Sequence, residues 1–347
     1  MAFIRAVAVC SPEHRYPQEE LAEAVGACFG SGAGARRIFQ NAGIRSRRLA
    51  QPIQWHLKPK SFQEKNDDAV VKACELSNGA LSALAAQAGF SLDDLDHLVT
   101  VNSTALATPT LDALLIHRMG LRPTIGRTPL FGLGCLGGAA GLSLAARLAD
   151  ARPQERVALV CVELCGHTFN PADQSAKNVV AAGLFADGAA AVLLSGRQGP
   201  GARLEIIRSG SMTFPDSIGV MGWHFSELGL GLVLARDLPD VVRRHLAPAL
   251  SSFLTGAGVR FDEIKHFIVH PGGPKVIDAV RDSLHLSEEH LRASRRHLEE
   301  CGNLSSASVL FVLRDVLEQT AVRPGELGLL FALGPGFSAE FLLLKFL

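Results

Sequence analysis

Three residues stand out because their types and positions could do chemistry together. Cys135 follows the apolar run PLFGLG and opens the small-residue stretch CLGGAAGLSLAARLAD. A thiol at such an elbow faces free backbone N–H groups and the positive end of a helix dipole, which is expected to lower its pKa and favour the thiolate nucleophile. His270 ends the apolar run KHFIVH and precedes Pro-Gly-Gly-Pro, a loop that would leave its ring in the crevice where α/β folds bind ligands. Asn303, in CGNLSSAS, could serve as a helix N-cap or as a carboxamide donor. The order Cys, His, Asn is also that of papain-like proteases, although their local Cys motif is missing here.

What must position these residues is an internal repeat. From about 95 to 160 the order is strand (97–104), helix (110–121), the Cys135 elbow with its helix, and strand (156–164). From about 265 to 335 it recurs as strand (265–270), helix (274–286), the Asn303 turn with its helix, and strand (327–334). Cys135 and Asn303 occupy equivalent places, 168 residues apart in a chain of 347. Each half closes on a related apolar piece, at 183–196 and 333–347. Alternating strands and helices predict an α/β architecture with mostly parallel central strands. Duplication predicts two βα halves, 1–198 and 199–347, meeting at the Gly-rich linker SGRQGPGAR and stacking as α-β-α-β-α layers.

Composition narrows the function. Hydrophobic residues make up 48% and charged residues 20%, enough apolar surface for a large core. Lys plus Arg and Asp plus Glu are 34 each, so no global positive field favours nucleic acid. The uncharged stretch 128–146 is too rich in glycine for a lipid-facing helix, and the N-terminus reads as a strand, so no membrane span and a cytoplasmic protein are expected. The seven cysteines are odd in number and form no CxxC pair, which fits reduced thiols. The eleven other histidines hold no HxxxH spacing among themselves, so spacing offers no metal site.

The segments LFGLGCLGGAAGL, VHPGGPKVIDAV, CGNLSSASVLFVL and ALGPGFSAE resemble the signature segments of type III polyketide synthases, the chalcone synthase-like enzymes of the thiolase fold. The resemblance runs from about residue 4 to 347, and ELCGHT with MGW (221–223) is more similar to bacterial alkylpyrone and alkylresorcinol synthases than to plant enzymes. It implies a catalytic triad of Cys135, His270 and Asn303. It implies substrate-binding roles for Phe185 as aromatic gatekeeper, Leu232 where the family has a second Phe, and Thr168, Cys165 and Ser305 along the cavity. Arg45, Arg47, Arg48 and Lys275 fall where the family binds CoA. Thr108 stands where plant enzymes place a Met that reaches the partner subunit, and a homodimer is still expected. The implied reaction is iterative decarboxylative condensation of malonyl-CoA onto an acyl-CoA starter, of medium or long fatty chain, with CoA thioesters as substrates and no cofactor. A carrier-protein-dependent β-ketoacyl synthase III-like enzyme and a non-enzymatic acyl-binding subunit are the alternatives.

Overall fold

A computed structural model describes residues 1–29, 33–199, 201–227 and 229–347. Nine strands form its principal sheet: β1 (Ala2–Cys10), β2 (His97–Asn102), β3 (Gly126–Phe131), β4 (Arg156–Leu164), β5 (Asp187–Ser195), β6 (Leu204–Thr213), β7 (Ile264–Val269), β8 (Leu327–Gly334) and β9 (Ser338–Phe346). They are hydrogen-bonded in the order β7-β8-β9-β6-β1-β5-β4-β2-β3. Read outward from the β1–β6 junction, the order β1-β5-β4-β2 matches β6-β9-β8-β7, which is the duplication expressed in space. The junction is narrow, pairing only Ala2, Phe3 and Ile4 with Ile206, Glu205 and Leu204.

The expectation of mostly parallel central strands is corrected. Only β7–β8, β2–β4 and β2–β3 pair in parallel, and the five pairings running from β8 to β4 are antiparallel. The physical reason is that continuous apolar character reports burial on both faces and not strand direction. The strand–helix–strand units do keep the parallel pairs. The closing apolar strands β5 and β9 turn back beside them.

Of the described helices, five carry most of the layers around the site. α1 (Phe62–Ala88) starts at a capping box in which Ser61 and Glu64 satisfy one another's backbone N–H groups. With α1 lie α2 (Gly137–Ala151), α3 (Leu238–Thr255), α4 (Pro274–Leu284) and α5 (Ser308–Gln319). Leu142 and Ala145 of α2 and Leu310 and Leu313 of α5 share one core with Val101, Leu159 and Val192 of one half and Ile268, Leu330 and Leu342 of the other. Leu81 and Leu84 of α1 cover the outer face of the first half, against Leu98 and Val160. Leu246 and Ile277, from α3 and α4, cover the second half against Leu329 and Phe341. The expected helix–sheet–helix–sheet–helix stack is therefore formed.

The central layer is close because its residues are small. A Cβ at Gly138 would lie 2.2 Å from the carbonyl oxygen of Ser306, in the turn that leads into α5. Gly138→Ala should therefore force the two helix starts apart and cost about 1–3 kcal/mol in denaturant unfolding. Gly34, which has nothing within 4 Å, is the matched control and should tolerate Ala. Equal stability of both variants would contradict the close approach.

Candidate active site

The Cys135 elbow is built by its neighbours. Gly134 adopts a left-handed φ of 50° and packs on Pro335, and its N–H donates to Ser103 Oγ at 2.8 Å. This places Cys135, buried, in the tight turn Gly134–Leu136 that runs into α2. From the other half, Asn303 Nδ2 approaches Cys135 Sγ at 4.0 Å and donates to the Gly272 carbonyl at 3.1 Å. Asn303 Oδ1 accepts from the Ser305 N–H at 2.8 Å, and Ser305 sits at the left-handed φ of 48°. Backbone bonds to Leu184 (2.9 Å) and Ala186 (3.0 Å) tie Asn303 to the segment carrying Phe185. His270 follows β7, anchored through its N–H to the Phe331 carbonyl at 3.0 Å. Its ring is buried, and neither nitrogen has a partner among the described residues. One carboxamide thus bridges the thiol and the histidine's loop, beside a ring free to exchange protons with a bound group.

Burial governs the electrostatics. The expectation of a lowered thiol pKa at Cys135 is corrected: desolvation pushes it up to about 12, aided by the nearby Glu163, while hydrogen bonds from Ser305 and Asn303 oppose the rise. Desolvation also pulls His270 down to about 3. The pair rests as neutral thiol and neutral imidazole, and moving one proton between them leaves the site's net charge unchanged.

Glu163, at the end of β4, is a functional residue that motif reading missed. Its carboxylate accepts from Ser306 Oγ (2.6 Å), Thr104 Oγ1 (2.8 Å) and the Ser103 N–H (3.1 Å). It therefore links the loop that holds Gly134 to the turn after Asn303. Burial raises its pKa to about 7 against these hydrogen bonds. The available signal was a lone acid in the otherwise apolar strand RVALVCVEL.

Of the expected cavity residues, Phe185, Leu232, Thr168 and Cys165 gather on one side, while Ser305 lies instead at Cys135. Phe185, Cys165 and Ala181 form a small apolar cluster with Trp223 and Leu232, and the Phe185 and Trp223 rings lie 5.7 Å apart. Leu232 pairs with Trp223 across the hairpin Met221–Ser226 and Gly229–Leu234. Trp223 was not singled out as a lining residue. Thr168 donates its hydroxyl to the Cys165 carbonyl at 2.7 Å. Beyond Phe185 and Cys165 a cavity opens, lined by Leu21, Val25, Leu49, Ile53, Phe169 and Ala182, with Thr168, Arg47 and His56. Gly166 also lines it, but a Cβ there would meet Asp187 and Leu49 at 3.0 Å, so it is a packing glycine and not an open channel wall.

The basic residues do not share one face. On the short strand Ser46–Leu49 side chains alternate, which sends Arg47 inward. The placement of Arg47 among phosphate-binding residues is corrected: its guanidinium is buried and donates to Gln18 Oε1 (2.9 Å) and the Phe185 carbonyl (2.5 Å), and burial pulls its pKa down to about 9. Arg48 donates to the Pro12 carbonyl at 2.7 Å, and the exposed Arg45 pairs with Glu299 and Glu300. Lys275 lies exposed in the first turn of α4.

Comparison with known proteins places this geometry. Residues 51–198 match the family model for chalcone and stilbene synthases, N-terminal domain, and residues 205–347 match the corresponding C-terminal domain. A 1,3,6,8-tetrahydroxynaphthalene synthase of Streptomyces peucetius subsp. caesius is 42% identical, over 99% of this chain and 92% of its own. The crystal structure of the 1,3,6,8-tetrahydroxynaphthalene synthase of Streptomyces coelicolor A3(2), a bacterial type III polyketide synthase, superposes with a TM-score of 0.90 at 30% identity, covering 99% of both chains. The C-terminal type III polyketide synthase domain of Steely1 from Dictyostelium reaches 0.93 at 25% identity, also over 99% of both. No described helix is long and apolar enough to cross a membrane. With both domain models matched and relatives aligned along nearly its whole length, the chain belongs to the chalcone and stilbene synthase family, as a type III polyketide synthase of thiolase-like fold.

Proposed function

We propose that Cys135, His270 and Asn303 catalyse iterative decarboxylative condensation of malonyl-CoA onto a Cys135-bound acyl group. The observation that carries this reading is the Asn303 carboxamide, held between the Cys135 sulfur and the loop of an unpartnered His270. In the first step the Cys135 proton passes to His270, the thiolate adds to the starter thioester, and CoA leaves with that proton. Malonyl-CoA then loses CO2, and its thioester oxygen takes the enolate charge. Asn303 Nδ2 and a His270 N–H donate to that oxygen in a site from which water is excluded. The enolate carbon attacks the acyl-Cys135 carbonyl, releasing the thiolate and a lengthened CoA thioester. The reading includes a cytoplasmic homodimer that takes its acyl groups as CoA thioesters.

For the starter we propose a medium or long fatty acyl-CoA, giving alkylpyrones or alkylresorcinols. The apolar lining beyond Cys165 and Phe185 suits such a chain, since each methylene buried contributes about 0.8 kcal/mol, although the cavity of about 30 Å³ must widen as the chain enters. A second reading, a tetrahydroxynaphthalene-type product, is favoured by the 42% identical relative of that name. Mass spectrometry of products from malonyl-CoA, alone and with acyl-CoAs of graded length, separates the two. Ala182→Phe should shift preference to shorter starters. An unchanged length profile, or one naphthalene-type product whatever is added, would sink the fatty-starter reading.

The triad divides by function. Cys135→Ala should show no acyl adduct in intact-mass spectra. Asn303→Ala should slow malonyl-CoA decarboxylation ~10²–10³-fold while slowing Cys135 alkylation far less, since Ser305 still opposes the rise in the thiol pKa. Equal loss of both activities in Asn303→Ala would contradict its role as oxyanion donor.

Glu163 supplies a pH test. Its folded pKa of about 7 lies above the ordinary 4.5, so the folded chain keeps a proton that the unfolded chain releases. Stability should therefore fall as pH rises across that window, by about 3 kcal/mol in all. Glu163→Gln should remove this slope, and by deleting a negative charge near Cys135 should move its iodoacetamide alkylation profile to lower pH. A profile moved to higher pH would reverse the assigned sign.

A further inference from the structure

Next to the cavity, and apart from the triad, two histidines and an aspartate converge from three separate stretches of chain. His56 ends the short helix Ile53–His56, His167 lies in the turn Cys165–Thr168, and Asp187 opens β5. All three are buried, and one ligand atom from each lies within 4.8 Å of the others.

The hydrogen bonds around the cluster fix what it offers. His167 Nε2 bonds Asp68 Oδ2 at 2.7 Å, which makes Nε2 the protonated nitrogen and leaves Nδ1 as a lone pair. His56 bonds the backbone of Gln51, and its Nε2 is left over. Both leftover nitrogens are buried without a partner. Among the described residues the Asp187 carboxylate accepts two backbone N–H groups, from Ala50 (2.8 Å) and Gly166 (2.6 Å), and keeps lone pairs to spare. Three acceptors thus face one another with no donor among them. That arrangement repels itself unless a proton or a cation sits at its centre.

We propose that His56 Nε2, His167 Nδ1 and Asp187 bind a divalent transition-metal cation of the Zn2+ class. Two imidazoles and one carboxylate suit such ions, with ligands at about 2.0–2.2 Å, and closing the cluster requires shifts of about 1 Å. Asp68 behind His167 is the carboxylate–histidine–metal arrangement that orients a ligating ring. Asp187 and Asp68 bring two negative charges toward the dication, and the buried Arg47 beside Asp187, held by Gln18 and Phe185, returns one positive charge. His56 also lines the cavity, so the cluster borders it. The cation would pin the Ile53–His56 helix and the Cys165–Thr168 turn to β5, setting one wall of the cavity.

The test uses the full-length protein stripped with EDTA and then supplied with Zn2+ or Co2+. One Zn2+ per chain should survive gel filtration, measured by plasma mass spectrometry. Co2+ should give the visible d–d bands of a nitrogen- and oxygen-ligated site without thiolate charge-transfer bands. His56→Gln and His167→Gln should weaken binding by at least ~100-fold, and Asp68→Asn by ~10–100-fold. Near-UV circular dichroism verifies that the variants are folded. Asp68 is only partly buried, so its variant keeps the test open should the histidine variants fail to fold. No Zn2+ retained by the wild-type protein, equal retention in folded variants, or thiolate bands that place the cation on cysteine would each overturn the proposal.

Discussion

Everything at the site depends on two helices starting almost in contact at the centre of the molecule. α2 and α5 are related by the duplication, and each is entered through a short turn at or just after a residue with reactive or hydrogen-bonding chemistry. The approach of Gly138 to the Ser306 carbonyl brings those starts together, and a single methyl group there would separate them. Cys135 and Asn303, distant in sequence, meet because of this approach. Glu163 reinforces the contact by binding the Ser103–Thr104 loop on one side and Ser306 on the other.

The same close packing sets the electrostatics. A site made by burying a thiol, an imidazole and a carboxylate together is costly for charge and cheap for proton transfer within it. Hence Cys135 and Glu163 are pushed up and His270 down, all three with desolvation as the largest cause. Helix-dipole reasoning alone gives the opposite sign for the thiol, because it counts the nearby N–H groups and omits the lost water. The thiol and imidazole are held uncharged until a substrate arrives.

Much of this was legible in the sequence. The repeat located the equivalent elements, and the Gly-rich elbow at Cys135, the Pro-Gly loop after His270 and the turn at Asn303 marked their crevice. Other features were not, for identifiable reasons. Strand direction was lost because two-face burial produces the same apolar run either way. Arg47 looked like its neighbours Arg45 and Arg48, and only strand alternation separates an inward guanidinium from two outward ones. Trp223 reaches Phe185 through a hairpin whose register no local pattern encodes. His56, His167 and Asp187 share no spacing motif, since their convergence is tertiary.

The central claim is that the two halves meet around one substrate, with Asn303 and His270 of the second half holding a thioester oxygen in front of Cys135 of the first. It is tested most directly by a crystal structure with a non-hydrolysable, non-decarboxylating malonyl-CoA analogue bound. The account predicts the analogue's thioester oxygen within about 3 Å of both Asn303 Nδ2 and a His270 ring nitrogen, with its reacting carbon facing Cys135 Sγ. An oxygen held by other groups, with Asn303 still bound only to Gly272, would contradict it.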